Sequence, residues 1–255
     1  MKNILATALI ALFSLWFGIG PAGAQTETDA QQLLEEGRAA LRAQDYTRAL
    51  EDFQKAAEAG NSGAQMMLGL VYLGGEGVPQ DYPAALSWSL KAADGGDAGA
   101  MLNVGKIYLE GLGVPADPEK ALGYFKAADA AGQFKAPRYI GLYYAGKGDD
   151  AKAVSYYRTA AENGDITSQY YLGRAYEQGK GIEQDFAQAM IWYTKSAARG
   201  DLIASDGMMG LASLYEKGEG VAPDLEKAIG LYRKAAGLGN SRAGDALKRL
   251  GVTPE

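Results

Sequence analysis

The sequence contains no cysteine and no histidine in its 255 residues. That removes the usual zinc, haem and iron–sulfur ligands, every Cys or Ser nucleophile that relies on an imidazole base, and any disulfide. Positive charge is also short, because 25 Lys and Arg stand against 31 Asp and Glu, a formal charge of −6. Without a basic stripe the phosphate-neutralising attraction that dominates nucleic-acid affinity is missing, which excludes DNA and RNA as partners. The one long apolar run, Ile4 to Ile19, is shorter than the ~20 residues of a membrane-spanning helix.

That run follows Lys2 and precedes Gly20-Pro21 and the small-residue pattern Ala22-Gly23-Ala24. A basic start, a short apolar core and an Ala-x-Ala end are the parts of a cleaved secretory leader, so residues 1–24 are expected to be removed near Ala24. Residues 25–28 then read as a short linker. No Cys follows the cleavage point, so no lipid anchor is expected, nor stable membrane insertion after cleavage. The compact leader points to a bacterial chain in the periplasm or secreted beyond it, where stability does not rest on disulfides.

Glycine is abundant, 35 residues, without the three-residue period of collagen. From Asp29 the chain repeats as blocks 29–60, 61–96, 97–132, 133–164, 165–200 and 201–239, followed by 240–250 and a tail, 251–255. Each block ends in Gly (Gly60, Gly96, Gly132, Gly164, Gly200, Gly239), and Asn61, Asp97, Gln133, Asp165, Asp201 or Asn240 comes next. Gly closes one helix in the left-handed conformation, and Asn or Asp caps the free amides of the next; Gln133 is the poor cap of the set. Inside the blocks Leu68-Gly69 with Tyr72, Val104-Gly105 with Tyr108, Ile140-Gly141 with Tyr144, Leu172-Gly173 with Tyr176 and Leu211-Ala212 with Tyr215 place an apolar residue and a Tyr four apart on one helix face. A Gly-rich turn and an Asp follow (Asp81, Asp117, Asp149, Asp185, Asp224), with Ala four residues later each time (Ala85, Ala121, Ala153, Ala189, Ala228). The Asp caps a second helix that carries Trp88, Tyr124-Phe125, Tyr156-Tyr157, Trp192-Tyr193 and Tyr232. Block 133–164 is four residues short of the 165–200 length, and the three extra residues of block 201–239 move its first helix to Ser205. The repeats therefore predict six helical hairpins and a terminal helix that covers the last apolar face.

The string A-x-x-x-LG-x-x-Y, G-x-G-[VI], D-x-x-[KQ]-A, [WY]-[YF], K-[AS]-A resembles the Sel-like repeat family, relatives of the tetratricopeptide repeats, over nearly all of the mature chain. The resemblance implies an all-α fold, a right-handed α/α superhelical solenoid. It also implies that residues of the first helices line a concave face: Met66, Leu70 and Leu73; Leu102, Lys106 and Leu109; Arg138 and Leu142; Tyr170, Arg174 and Glu177. Apolar residues rimmed by charge suit a protein or peptide segment. Family members with leaders imply an adaptor or regulator of the bacterial envelope.

Chemistry is not expected. The Gly-x-Gly turns lack the Gly-Lys-Ser/Thr ending of a P-loop, the Asp residues recur at cap positions without EF-hand spacing, and no Ser-x-x-Lys dyad exists. No catalytic residue, cofactor or metal ligand is assigned. A second reading, from the many aromatics and the expected compartment, is a glycan or peptidoglycan binder with weak hydrolysis by Asp or Glu. The aromatics follow the repeat period, which favours packing over a stacking platform.

Overall fold

A short polar residue, Asp or Asn, caps the start of most of the helices. The computed structural model describes residues 22–253; thirteen α-helices and one 3-10 turn occur there, and no strand among the described residues. The leader expected over residues 1–24 falls on residues 1–21 outside that range, apart from its last three. Residues up to Ala116 form one compact unit and those from Asp117 another.

The first unit holds α1 (Ala22–Arg42), α2 (Tyr46–Glu58), α3 (Ser62–Gly74), α4 (Tyr82–Asp94) and α5 (Ala98–Glu110). Residues 25–28, expected as a linker, lie inside α1. The second unit holds α6 (Pro118–Ala130), α7 (Ala136–Gly146), α8 (Asp150–Glu162), α9 (Ile166–Gln178), α10 (Phe186–Ala197), α11 (Ser205–Lys217), α12 (Leu225–Gly237) and α13 (Ser241–Arg249). A capped 3-10 turn, Leu202–Ala204, takes up the extra residues before α11, which starts at Ser205 as expected. In chain order the helices make six first-and-second pairs and a terminal helix, the tandem hairpin architecture of a helical solenoid. Within each unit every helix packs on the next, and α3 on α5 and α9 on α11 also touch as successive first helices.

Caps explain the boundaries. The Asn61 and Asp97 carboxamide and carboxylate oxygens accept from Ala64 and Ala100 at 2.9 and 2.7 Å, and Asp165 accepts from the Ser168 amide at 2.8 Å. Asp81, Asp117, Asp185 and Asp224 do the same for second helices at 2.9 to 3.0 Å. The amides of Asp81, Asp185 and Asp224 also donate to the carbonyls of Tyr72, Tyr176 and Tyr215, which ties each long turn to the repeat tyrosine. At Gln133 the pattern fails as expected: α7 begins only at Ala136, with no side-chain cap.

The Ala four residues after each cap Asp lies at 0 to 2% exposure in Ala85, Ala121, Ala153, Ala189 and Ala228, and in α3/α4 and α7/α8 a first-helix glycine, Gly69 or Gly141, lies against that turn. Turn glycines with positive φ mark a seam between hairpins. A side chain on Gly77, Gly113, Gly181 or Gly220 would collide with Tyr46, Tyr82, Asp150 or Phe186, the first residue of the preceding hairpin's second helix in each case. The short turn of the α7/α8 hairpin has no such seam, since Gly148 faces open space.

Candidate functional site

In α9/α10 the Tyr193 ring is 1% exposed and fits between two glycines, Gly173 on α9 and Gly210 on α11. Its hydroxyl donates to Glu177, whose carboxylate also faces Lys217 Nζ at 3.9 Å from the next hairpin. The α11/α12 pair repeats the device: Tyr232 donates to Glu216 at 2.9 Å, and Arg249 of α13 clamps that carboxylate with two 2.7 Å bonds. Burial first, and the glutamate hydrogen bond second, push the hydroxyl pKa of both tyrosines up. Arg249, helped by Tyr232, holds Glu216 below the usual carboxylate range against the effect of burial.

The α7/α8 hairpin keeps half of this device. Gly141 matches Gly173 and Tyr157 matches Tyr193, but the position of Glu177 and Glu216 is Ala145. The Tyr157 hydroxyl has no hydrogen-bond partner among the described residues, and burial raises its pKa. A cavity of about 230 Å³ opens there between α7, α8 and α9. Leu142, Ala145, Ala153 and Val154 supply apolar walls, Tyr157 and Tyr171 two phenols, and Arg174 a guanidinium. The two phenol rings lie 5.0 Å apart. Arg174 is exposed and makes no hydrogen bond or ion pair among the described residues. At the mouth Lys180 pairs with Asp150 at 3.2 Å.

The sequence-predicted face is distributed as follows. Of the first-unit residues, Leu70 is exposed at 38%, whereas Met66, Leu73, Lys106 and Leu109 are half-buried. Leu102 corrects the expectation: at 7% exposure it packs inside the array and presents no anchor to a partner. Arg138 turns inward to Asp165, at 2.9 and 3.3 Å, where it neutralises a nearly buried cap carboxylate. Tyr170 tilts against Tyr171 and Tyr193 with ring centres 5.6 and 5.9 Å apart. Glu177 is held by Tyr193. Leu142 and Arg174 are brought together at the cavity. Sequence reasoning missed Ala145, Tyr157 and Tyr171; the signal was the pair Ala145/Tyr157 at positions where the next two hairpins hold Glu and Tyr. Among the described residues no cluster of acidic groups could hold a metal ion, and no helix is long and apolar enough to cross a membrane.

Comparison with known proteins gives a consistent assignment. The Sel1 repeat model matches residues 30–61, 62–97, 98–132, 139–165, 166–201 and 205–240. A Sel1 repeat protein from Oxalobacter formigenes is similar in structure, with TM-score 0.77 and 32% identity over 87% of this chain and 94% of its own. A sel1 repeat protein from Klebsiella pneumoniae shares the fold at 22% identity and TM-score 0.53, covering 79% of this chain and 99% of that one. DAP3-binding cell death enhancer 1 of Rattus norvegicus is 42% identical over 171 residues, 66% of this chain and 34% of that protein. The chain thus spans about a third of the length of the curated relatives it matches, the mouse protein included. With six tandem repeat matches along an all-helical chain, the chain belongs to the Sel1 repeat family, whose members generally serve as non-catalytic scaffolds for protein–protein interaction.

Proposed function

We propose that this chain is an interaction scaffold without turnover, which holds a segment of another protein against the first-helix face of its second unit, anchored at the α7–α9 cavity. The observation that carries this reading is the unpaired Arg174 beside an apolar cavity, a cation and an apolar socket with no internal use. The name of the mammalian relatives states that they bind another protein, which supports the same class of activity. The residues from Lys2 to Ala24 support a site of action in the bacterial periplasm or outside the cell, as an adaptor or regulator. A glycan-stacking role draws less support, because Trp192 is 7% exposed and the Tyr157, Tyr170, Tyr171 and Tyr193 rings pack on one another.

The test is site-specific photo-crosslinking in the native host. A photoreactive residue at Leu142 or Arg174 is expected to yield a discrete protein adduct, and one at the exposed Thr159 or Thr194 of the second helices is not. Equal adducts from all four positions, or none from the first two, overturn the reading. Mass spectrometry of the mature chain tests the compartment: an N-terminus at Gln25 in the periplasmic fraction is expected, and an intact Met1 in the cytoplasm refutes it.

A further inference from the structure

We infer that the α7–α9 cavity recognises the carboxyl terminus of its partner, seating one aliphatic C-terminal residue with its carboxylate between Tyr157 and Arg174. The inference rests on the interaction reading above and adds the chemistry of the partner.

The repeats themselves show what the cavity is suited to. In α9/α10 and α11/α12 a buried tyrosine hydroxyl from the second helix meets a glutamate carboxylate from the first, and a cation from the next first helix completes the set. In α7/α8 the tyrosine and the cation remain, as Tyr157 and Arg174, but Ala145 supplies no carboxylate. A hydroxyl donor and a guanidinium are therefore left beside a space that a carboxylate occupies in the two following hairpins. Arg174 lines the same cavity as Tyr157 and Tyr171, whose rings lie 5.0 Å apart, so the cation and the two phenols share one space. Asp150 opposes an incoming anion, yet it is already paired with Lys180. Arg174, Lys180 and Asp150 together leave one positive charge at the mouth, which complements one carboxylate.

The rest of the lining selects the side chain. Leu142, Ala145, Ala153, Val154 and Ala175 offer only carbon, with Gln178 the one amide of the lining, so an apolar group gains by burial while a second charge would lose its hydration. The volume of about 230 Å³ lies below the roughly 300–1,000 Å³ of drug-sized ligand sites and suits a single residue. A chain terminus carries its aliphatic side chain and its carboxylate on one Cα, so one residue satisfies both halves of the site. An internal acidic segment needs two residues and has to enter and leave the same small opening.

The experiment is an NMR titration of the full chain with acetyl-Gly-Ser-Gly-Ser-Leu bearing a free carboxyl terminus, with its C-terminal amide, with a capped internal peptide containing Asp-Leu, and with 4-methylpentanoate. The free-acid peptide is expected to shift amides of α7 to α9, with the amide and Arg174→Met each weakening it about tenfold or more through loss of a charge-assisted hydrogen bond. Ala145→Glu restores the residue type that the matching position holds in the next two hairpins. It is expected to abolish binding while raising the melting temperature; should it fail to fold, the exposed Arg174→Met variant still decides the question. Equal affinity of acid and amide, binding that survives Ala145→Glu, or no shift from the free-acid peptide ending in Leu overturns the inference. Tighter or equal binding of the internal peptide or of 4-methylpentanoate overturns it as well, in favour of an acidic segment or a free acid. Crosslinks retained at position 174 alongside any of these failures leave the interaction reading standing; their loss removes both.

Discussion

The environment of Tyr193 makes a sharp prediction about two glycines that look alike in sequence. Gly173 and Gly230 both lie inside helices, and replacing either with Ala gains about 1 kcal/mol of helix propensity. A Cβ on Gly230 meets nothing within 4 Å, so Gly230→Ala is expected to stabilise the protein by about 0.5–1 kcal/mol. A Cβ on Gly173 would stand 2.7 and 2.9 Å from ring carbons of Tyr193. The ring cannot retreat, because Gly210 presses on its other face closely enough that a Cβ there would sit 2.5 Å from it. The hydroxyl is fixed on Glu177 as well. Overpacking of a ring pinned in this way costs about 2–3 kcal/mol, which leaves Gly173→Ala less stable than wild type by about 1–2 kcal/mol. Urea unfolding followed by far-ultraviolet circular dichroism, with m compared among the three proteins, measures the difference directly. If Gly173→Ala matches Gly230→Ala at unchanged m, the ring is not clamped and the account of the close α9–α10 approach is refuted.

Three further outcomes follow from the geometry. Arg138→Met strands the 4% exposed Asp165 carboxylate and is expected to cost about 3 kcal/mol in urea unfolding, with Asp165→Asn in the same background recovering part of it because the amide still caps α9. Glu216 is held below its ordinary pKa in the folded chain, so its contribution is full above the usual glutamate value of about 4.3 and is lost as pH falls through the depressed folded value. Amide protection factors in α13 should accordingly fall as the pH drops below the ordinary glutamate range, and Arg249→Gln should flatten that dependence; an unchanged profile would show that the clamp does not hold α13. Asp185→Ala removes the α10 cap and should lower stability by about 1 kcal/mol while Asp185→Asn stays near wild type, so equal losses in thermal melts would argue against capping.

Much of the fold was legible because caps and small residues act locally. Asp81, Asp185 and Asp224 need only the next three residues to make their hydrogen bonds, and Ala85 or Ala189 is dictated by the helix crossing inside its own hairpin. The failed cap at Gln133 and the late start at Ser205 were visible for the same reason. The binding face was less legible, since side-chain commitment depends on neighbours 16 to 36 residues away. Nothing near Arg138 announces that it turns to Asp165, and nothing near Glu177 announces Tyr193. Leu102 occupies a helix position matching the half-buried Met66, yet packs inward at 7% exposure. The cavity itself coincides with Ala145, at the position where the next two hairpins hold Glu, and becomes meaningful only once Tyr157 is seen beside it.

The glycine seams have a consequence for how such a chain changes over generations. Because Gly77, Gly113, Gly181 and Gly220 each rest on the opening residue of the preceding second helix, those joints are made of interchangeable parts. Duplication or loss of a whole hairpin at such a joint rebuilds the same junction, so the array can lengthen or shorten without redesign. The α7/α8 hairpin joins in this way on one side only: its Asp150 receives Gly181, whereas its own shortened turn leaves Gly148 facing open space. The module with this one-sided joint is the same one that carries Ala145 and Tyr157.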